Sequence, residues 1–390
     1  MYFLYIKIFL KLKESDFVEI IGIIAEYNPF HNGHIYHIET IKKMYPNSII
    51  ILVLNGYFLE RGQISIESVS SKTKLALEHN VDIVVELPFI FGSNSADIFS
   101  DASIELLNQL GVKKIIFGSE CNDVEKIRKL AQKQLDNEYS DDVKKYLDSG
   151  INYPTALNKA LNTGIDTPND LLGLSYVKSI LKNKYTIEPI TIKRTNSYHD
   201  TVSNDKIISA SNIREKLKNN FDISKYVPNE EYINNIDYDL YFNLLKYKII
   251  TNNNLSDFLT VDEGIDNRLK SVINECNNID ELIKKIKTKR YTYNRINRMF
   301  IHILIGLKKE DKLKCIKNEY IRVLGFNEIG KKYISSIKKN TTIPIVTSLK
   351  NIDSIIKDYE VKAYKLYNML GKEDVLTFEH SNKPIIKISK

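Results

Sequence analysis

His31 and His34 are separated only by Asn32-Gly33, at a point where an apolar run gives way to a stretch of helical periodicity. A helix N-terminus presents unpaired backbone N–H groups and a partial positive charge, so a loop that enters one after a strand is a natural seat for phosphate. If Gly33-His34 opens the helix, His31 lies on the loop and His34 in the first turn, and both imidazoles reach the same phosphoryl group. Such a pair stabilises charge that develops at an α-phosphate during transfer, by electrostatics and positioning, with no protein nucleophile required. Gly33 would let backbone approach a nucleotide where a Cβ collides. His31, His34 and His37 are also a formal zinc set, but no cysteine lies nearby and Glu26 falls at the strand end rather than at a ligand spacing. No protein residue is therefore assigned to a metal.

The elements that must hold these side chains follow from pattern. The β-branched run at 20–24 reads as a buried strand, Asn28-Pro29 breaks it, and Ile35, Ile38 and Ile41 share one helix face. A second apolar strand at 48–54 completes a βαβ unit, whose ligands collect beyond the carboxyl ends of the strands. The segment from Tyr57 to Gly62 then starts beside the site, and Arg61 either meets a phosphate or is an ordinary solvated arginine. Further strands are expected at 83–88, 114–120 and 187–194, with helices at 71–79, 95–110, through 124–149 and at 171–182. Gly118, at a strand end, either admits a ligand closely or simply turns the chain.

Ile208-Ser209-Ala210-Ser211-Asn212-Ile213-Arg214 places two hydroxyls and exposed amides at a helix start, with an arginine one turn on. That set suits the outer phosphates of a triphosphate, with Ser209 as a plain N-cap the alternative. Beyond Phe221 strand patterns thin out and Lys-, Tyr- and Asn-rich helices dominate. The fold class is therefore α/β: a Rossmann-like parallel-sheet domain over 20–222, followed by a mainly α-helical region over 223–390. Between Glu281 and Glu310 no carboxylate occurs, and basic residues alternate with Tyr291 and Tyr293. Phosphates would take the charge and unstacked RNA bases the rings.

At 390 residues the chain has room for two domains, and 43% hydrophobic with 27% charged residues is ordinary for a globular protein. The net charge of +7 and pI near 8.9 lean towards an acidic partner such as RNA. Three cysteines far apart, with no C-x-x-C pair, suit a reducing cytoplasm rather than a disulfide framework. No stretch is long and apolar enough to span a bilayer, and the apolar leader from Met1 to Ile6 is interrupted by Lys7, without a basic n-region or a cleavage site. No internal repeat stands out.

His31-Asn32-Gly33-His34 is the H-x-G-H pattern of the nucleotidyltransferase superfamily, shared with class I aminoacyl-tRNA synthetases and metabolite adenylyltransferases. The longer string Ile24-Ala25-Glu26-Tyr27-Asn28-Pro29-Phe30-His31-Asn32-Gly33-His34-Ile35-Tyr36-His37 resembles the bacterial tRNA(Met) cytidine acetate ligase family. That resemblance implies an AMP-forming ligase that activates acetate with ATP and acetylates N4 of the wobble cytidine of elongator tRNA(Met). It implies catalysis by His31, His34 and Arg214. ATP contacts would come from residues 24–37, Gly118, Asn169, Arg194, Thr195, Ser209 and Ser211, with Mg²⁺ accompanying the nucleotide. Asn169 equally reads as an N-capping residue. The tRNA would meet Lys284, Lys285, Lys287, Lys289, Arg290, Tyr291, Tyr293, Arg295 and Arg298. No membrane and no stable protein partner is expected.

The family carries Lys-Trp ahead of the second helix, whereas this chain has Ser68-Val69-Ser70 before Ser71-Lys72, so no role transfers to 68–72. Its members begin near the position of Ile20. Residues 1–19 accordingly read as an extension from a misassigned start; the next methionine, Met44, lies beyond the motif, leaving a non-AUG start at Leu10, Leu12 or Val18. The rival readings are a metabolite adenylyltransferase, which leaves the basic second region unexplained, and a non-catalytic RNA-binding protein with a vestigial nucleotide site.

Overall fold

Apolar runs rich in isoleucine, valine and leucine form the strands, because β-branched side chains fit a sheet covered on both faces. In the computed structural model, Ile20–Ala25 is β1, Asn32–Met44 is α1, and Ile49–Asn55 is β2, buried along its whole length. Then come Val69–Glu78 (α2), Ile83–Leu87 (β3), Ala96–Gln109 (α3) and Lys114–Ser119 (β4). The stretch expected to be helical through 124–149 divides into Val124–Lys133 (α4) and Asn137–Asp148 (α5), followed by Tyr153–Leu161 (α6), Pro168–Lys182 (α7), Glu188–Lys193 (β5) and Ala210–Lys218 (α8). The structure describes residues 18–151, 153–161, 167–194, 206–371, 375–381 and 383–388. Thr195 and most of the leader lie outside them.

The strands run in the order β5-β4-β1-β2-β3, each parallel to its neighbours, with Ile20 opposite Ile49 and Lys114 opposite Glu188. Sequence order reverses between β1 and β4. At such a switch point the connections leave in opposite directions, and the crevice beyond the carboxyl ends stays open for a ligand.

The later region is mainly helical, as expected, through Tyr238–Thr251 (α9), Ile265–Val272 (α10), Ile279–Ile286 (α11) and Tyr293–Ile305 (α12). It also returns to the sheet. Ile321–Asn327 (β6) pairs antiparallel with β3, and Ile345–Val346 (β7) and Ile385–Lys387 (β8) pair parallel with β6. The composition change near residue 222 therefore does not divide the core: one cluster of buried hydrophobics contains Ile21 and Leu54 together with Ile296, Val323 and Tyr367.

A buried polar network ties this return together. Arg322 on β6 donates to both Glu86 oxygens on β3, at 3.2 and 3.0 Å, and at 2.6 Å to Glu379 on Val375–Ser381, while Tyr57 donates to the other Glu379 oxygen at 2.7 Å. Arg322 and the two glutamates are almost wholly buried. Removing the guanidinium leaves two carboxylates uncompensated in the core, so Arg322→Met is expected to cost about 3–5 kcal/mol. Urea unfolding monitored by circular dichroism measures it, and an unchanged midpoint would show that the network is dispensable.

Candidate active site

The loop after β1 is shaped by hydrogen bonds from its own side chains. His31 is the N-cap of α1: its Nδ1 accepts from the Gly33 N–H at 3.0 Å, and the His31 N–H donates to Nδ1 of His34 at 3.2 Å. This is a capping box built from imidazoles in place of Ser and Glu. The two rings lie 3.8 Å apart between centroids. Gly33 answers to a constraint inside the loop as well, since a Cβ there would sit 2.7 Å from Cε1 of His31 and displace the cap.

Protonation follows from this geometry. Each Nδ1 accepts a backbone N–H, which assigns the proton to Nε2 in a neutral ring. Burial, aided by Arg194 and Arg214, pushes His31 from its ordinary 6.5 down to about 3. Burial and the neighbouring His31 hold His34 well below the ordinary 6.5, and burial with Arg194 lowers His37 to about 4. The pair thus offers neutral N–H donors, and permanent charge comes from arginine.

Both histidines line a cleft of about 800 Å³ at the β1/β4 switch point. Most of the expected nucleotide residues meet there: Ile24, Ala25, Glu26, Tyr27, Asn28, Gly33, Tyr36, His37, Gly118, Asn169, Arg194, Ser209, Ser211 and Arg214. Pro29, Phe30, Asn32 and Ile35 do not line it. Phe30 is buried with its N–H on Glu67, and Asn32 donates to the Lys206 and Lys225 carbonyls, anchoring the loop to the segment around α8. Arg214 donates to the Asn28 carbonyl at 2.5 Å and to Ser211 Oγ at 3.2 Å. Ser209 is the N-cap of α8 and lines the cleft as well.

The capping alternative for Asn169 does not hold. Thr167 occupies the cap position of α7, and the Asn169 amide donates to Glu120. Glu120 also lies 3.5 Å from Arg194, so one carboxylate orients two cleft residues. Arg61 lines the cleft too.

Lys72, on the segment to which no role was transferred, is fully buried. Its Nζ donates to the carbonyls of Glu26, Asn55 and Gly56 at 3.0, 2.8 and 2.7 Å, closing the carboxyl ends of β1 and β2. Burial lowers it to about 8. Tyr176 on α7 also borders the cleft; the apolar helix pattern around it carries no functional signal.

The expected RNA run divides in three. Lys284, Lys287, Lys289 and Tyr293 are exposed and Lys285 pairs with Glu275 at 2.7 Å. Tyr291 is a correction: its ring is only 3% exposed and its hydroxyl donates to the Asp262 carbonyl at 2.7 Å, so it is core and cannot stack on a base. Arg290, Arg295 and Arg298 reach the nucleotide cleft itself. Eight cationic side chains among the described residues then line the cleft against the carboxylates Glu26, Glu60 and Asp97, which favours a polyanion. Among the described residues no three His, Cys, Asp or Glu side chains converge to cage a metal, and no helix is long and apolar enough to cross a membrane.

Residues 18–382 match the family model described as HIGH Nucleotidyl Transferase. A tRNA(Met) cytidine acetate ligase of Geobacillus sp. (strain WCH70) is 37% identical over 402 residues, covering 95% of this chain and all of the relative. One from Clostridium perfringens (strain ATCC 13124) is 36% identical with the same coverage. The crystal structure of Thermotoga maritima TmcAL bound with alpha-thio ATP superposes with a TM-score of 0.84 at 26% identity, over 95% of this chain and all of that one.

Two outcomes follow from the geometry. As pH falls below 6.5 the unfolded chain takes a proton at His31 that the native chain refuses until about 3, so the native state loses up to about 1.4 kcal/mol per pH unit through this group. In His31→Asn, which keeps an N-cap acceptor, urea midpoints between pH 4 and 6.5 should fall less steeply than in the parent; equal slopes would refute the buried neutral imidazole. Lys72→Met leaves three carbonyls without their donor and is expected to lower stability by about 2–4 kcal/mol in the same assay, with Lys72→Arg intermediate.

Proposed function

The chain belongs to the tRNA(Met) cytidine acetate ligase family of HIGH nucleotidyl transferases, and on that premise we propose that it acetylates N4 of the wobble cytidine of elongator tRNA(Met), using acetate and ATP in the cytoplasm. The observation that carries this reading is the capped His31/His34 pair at the strand switch point, set among arginines in a cleft of nucleotide size.

The reaction divides into two displacements. An acetate oxygen attacks the α-phosphorus of ATP, the bond to the bridging oxygen breaks, and pyrophosphate leaves. The cytidine amine then attacks the acetyl carbon, the bond from carbon to phosphate oxygen breaks, and AMP departs as the amine releases a proton to water. His31 and His34 would donate from Nε2 to the oxygens of the pentacovalent α-phosphate, a stabilisation realised at the transition state. Arg214 and Arg194 would hold the phosphates, Arg214 already fixed by Asn28 and Ser211. Neutral imidazoles suit the task, because they stay donors at every physiological pH. Any Mg²⁺ would be carried mainly by the triphosphate, the protein offering it no cage of three ligands among the described residues.

A metabolite adenylyltransferase would need the first half of the cleft alone, and the arginines that α12 brings to it weigh against that rival. The decisive assay is exchange of labelled pyrophosphate into ATP, with and without tRNA. Exchange should require acetate, and His34→Ala should lower it by about 10²-fold or more, the scale of losing one preorganised donor. No acetate-dependent exchange by the parent, or full exchange by His34→Ala, would overturn the mechanism.

A further inference from the structure

Two parts of the chain remote from each other in sequence line the one cleft. Beside the loop carrying Glu60 and Arg61, one wall is made by Arg290, Thr292, Asn294, Arg295 and Arg298, at and before the start of α12. This wall comes from a part of the chain more than two hundred residues from the histidines, yet it opens into the same space.

Its position is rigidly set. Gly62 has φ +71 and lies so close to α12 that a Cβ would stand 2.2 Å from the Arg298 nitrogen and 2.4 Å from the Asn297 carbonyl carbon. Arg298 donates to the Glu60 carbonyl at 2.9 Å and to its carboxylate at 3.2 Å. Arg295 is held over the buried Tyr291 ring, 4.1 Å from its centroid, and 3.3 Å from Asp262. Arg290 differs: its side chain is half exposed and its carboxylate partner, Glu263, is 3.6 Å away. Outside the cleft, Lys287 and Lys289 are exposed on the same run, so positive charge continues from the surface to the wall.

We infer that this wall is the seat of the acceptor nucleotide: Arg290 and Arg295 take the phosphates flanking it, and the Asn294 amide contacts its base. The inference rests on the two-step reaction proposed above, and it specifies from which side the amine meets the acetyl-adenylate. A base in a duplex or a stacked loop cannot reach a cleft floor, so the acceptor must be extruded, and an extruded nucleotide brings a phosphate on each side. Guanidinium groups suit those phosphates, and a carboxamide can donate to ring acceptors of a pyrimidine. Arg298 and Tyr291 act through their neighbours, as positioning residues that fix the wall's distance from the histidines.

The test uses the full-length protein and an anticodon stem–loop RNA carrying 4-thiouridine at the target position. Irradiation should attach the RNA to the peptide spanning residues 290–298; attachment elsewhere, or none, overturns the inference. In parallel, Arg290→Gln should raise the KM for unmodified stem–loop RNA about tenfold and flatten the log–log salt dependence of binding by roughly one, the value of one lost phosphate contact. Acetate-dependent pyrophosphate exchange should fall at least tenfold less than acetyl transfer does. Equal losses in the two half-reactions would assign the wall to ATP instead. A parent protein that cross-links at 290–298 without any acetate-dependent exchange would remove the proposed chemistry while leaving the RNA seat in place, so the two failures are distinguishable.

Discussion

A single buried ammonium group holds the two central strands together where they end. The carbonyls at the carboxyl ends of parallel strands have no further strand to pair with, and those of Glu26, Asn55 and Gly56 would otherwise face a water-poor interior. Lys72 satisfies all three. The loop with His31 and His34 departs from one of these ends and the loop with Glu60 and Arg61 from the other, and the Glu26 carboxylate, which accepts from the Asn55 amide and the Glu60 N–H, ties the same two ends together. Its three direct acceptors are neutral, and the nearby carboxylates of Glu67, Glu26 and Glu86 favour its charged form against the cost of burial.

The site divides its electrostatic work between neutral and charged donors. A protonated imidazole at His31 would be buried beside Arg194 and Arg214, and the cost of that arrangement keeps it neutral. Guanidinium groups do not lose their proton under any relevant condition, so they supply the constant attraction for phosphate. The histidines add directional N–H donors whose orientation is locked by backbone amides on the opposite ring nitrogen. A site of this kind binds its anion across a wide pH range and still aims donors at one atom.

The second half of the chain is more than an appended binding module. β6 extends the sheet, the Arg322 network anchors it, and α12 is thereby pressed against Gly62 at the mouth of the cleft. A helix attached only through a linker could not hold arginines at a constant distance from the histidines. Sharing one core makes that distance a property of the fold.

By itself the sequence determined the parts of this protein whose cause is local. Runs such as Ile49–Asn55 read as buried strands, and His31-Asn32-Gly33-His34 reads as the start of a helix, whereas the imidazole caps and the choice of Ser209 as the N-cap of the helix carrying Arg214 came with the folded structure. Only the tertiary structure decided what depends on partners distant in the chain. Lys72 reads as one more helix lysine until three strand-end carbonyls surround it, and Tyr291 looks like a base-stacking ring until Asp262 and Arg295 enclose it. Arg298 meets Glu60 across 238 residues, and Ile321–Asn327 joins the parallel strands β1 to β5 from the opposite direction. Periodicity and capping report the environment a residue needs, but not which remote segment supplies it, because burial and charge pairing are satisfied by any partner the fold brings near.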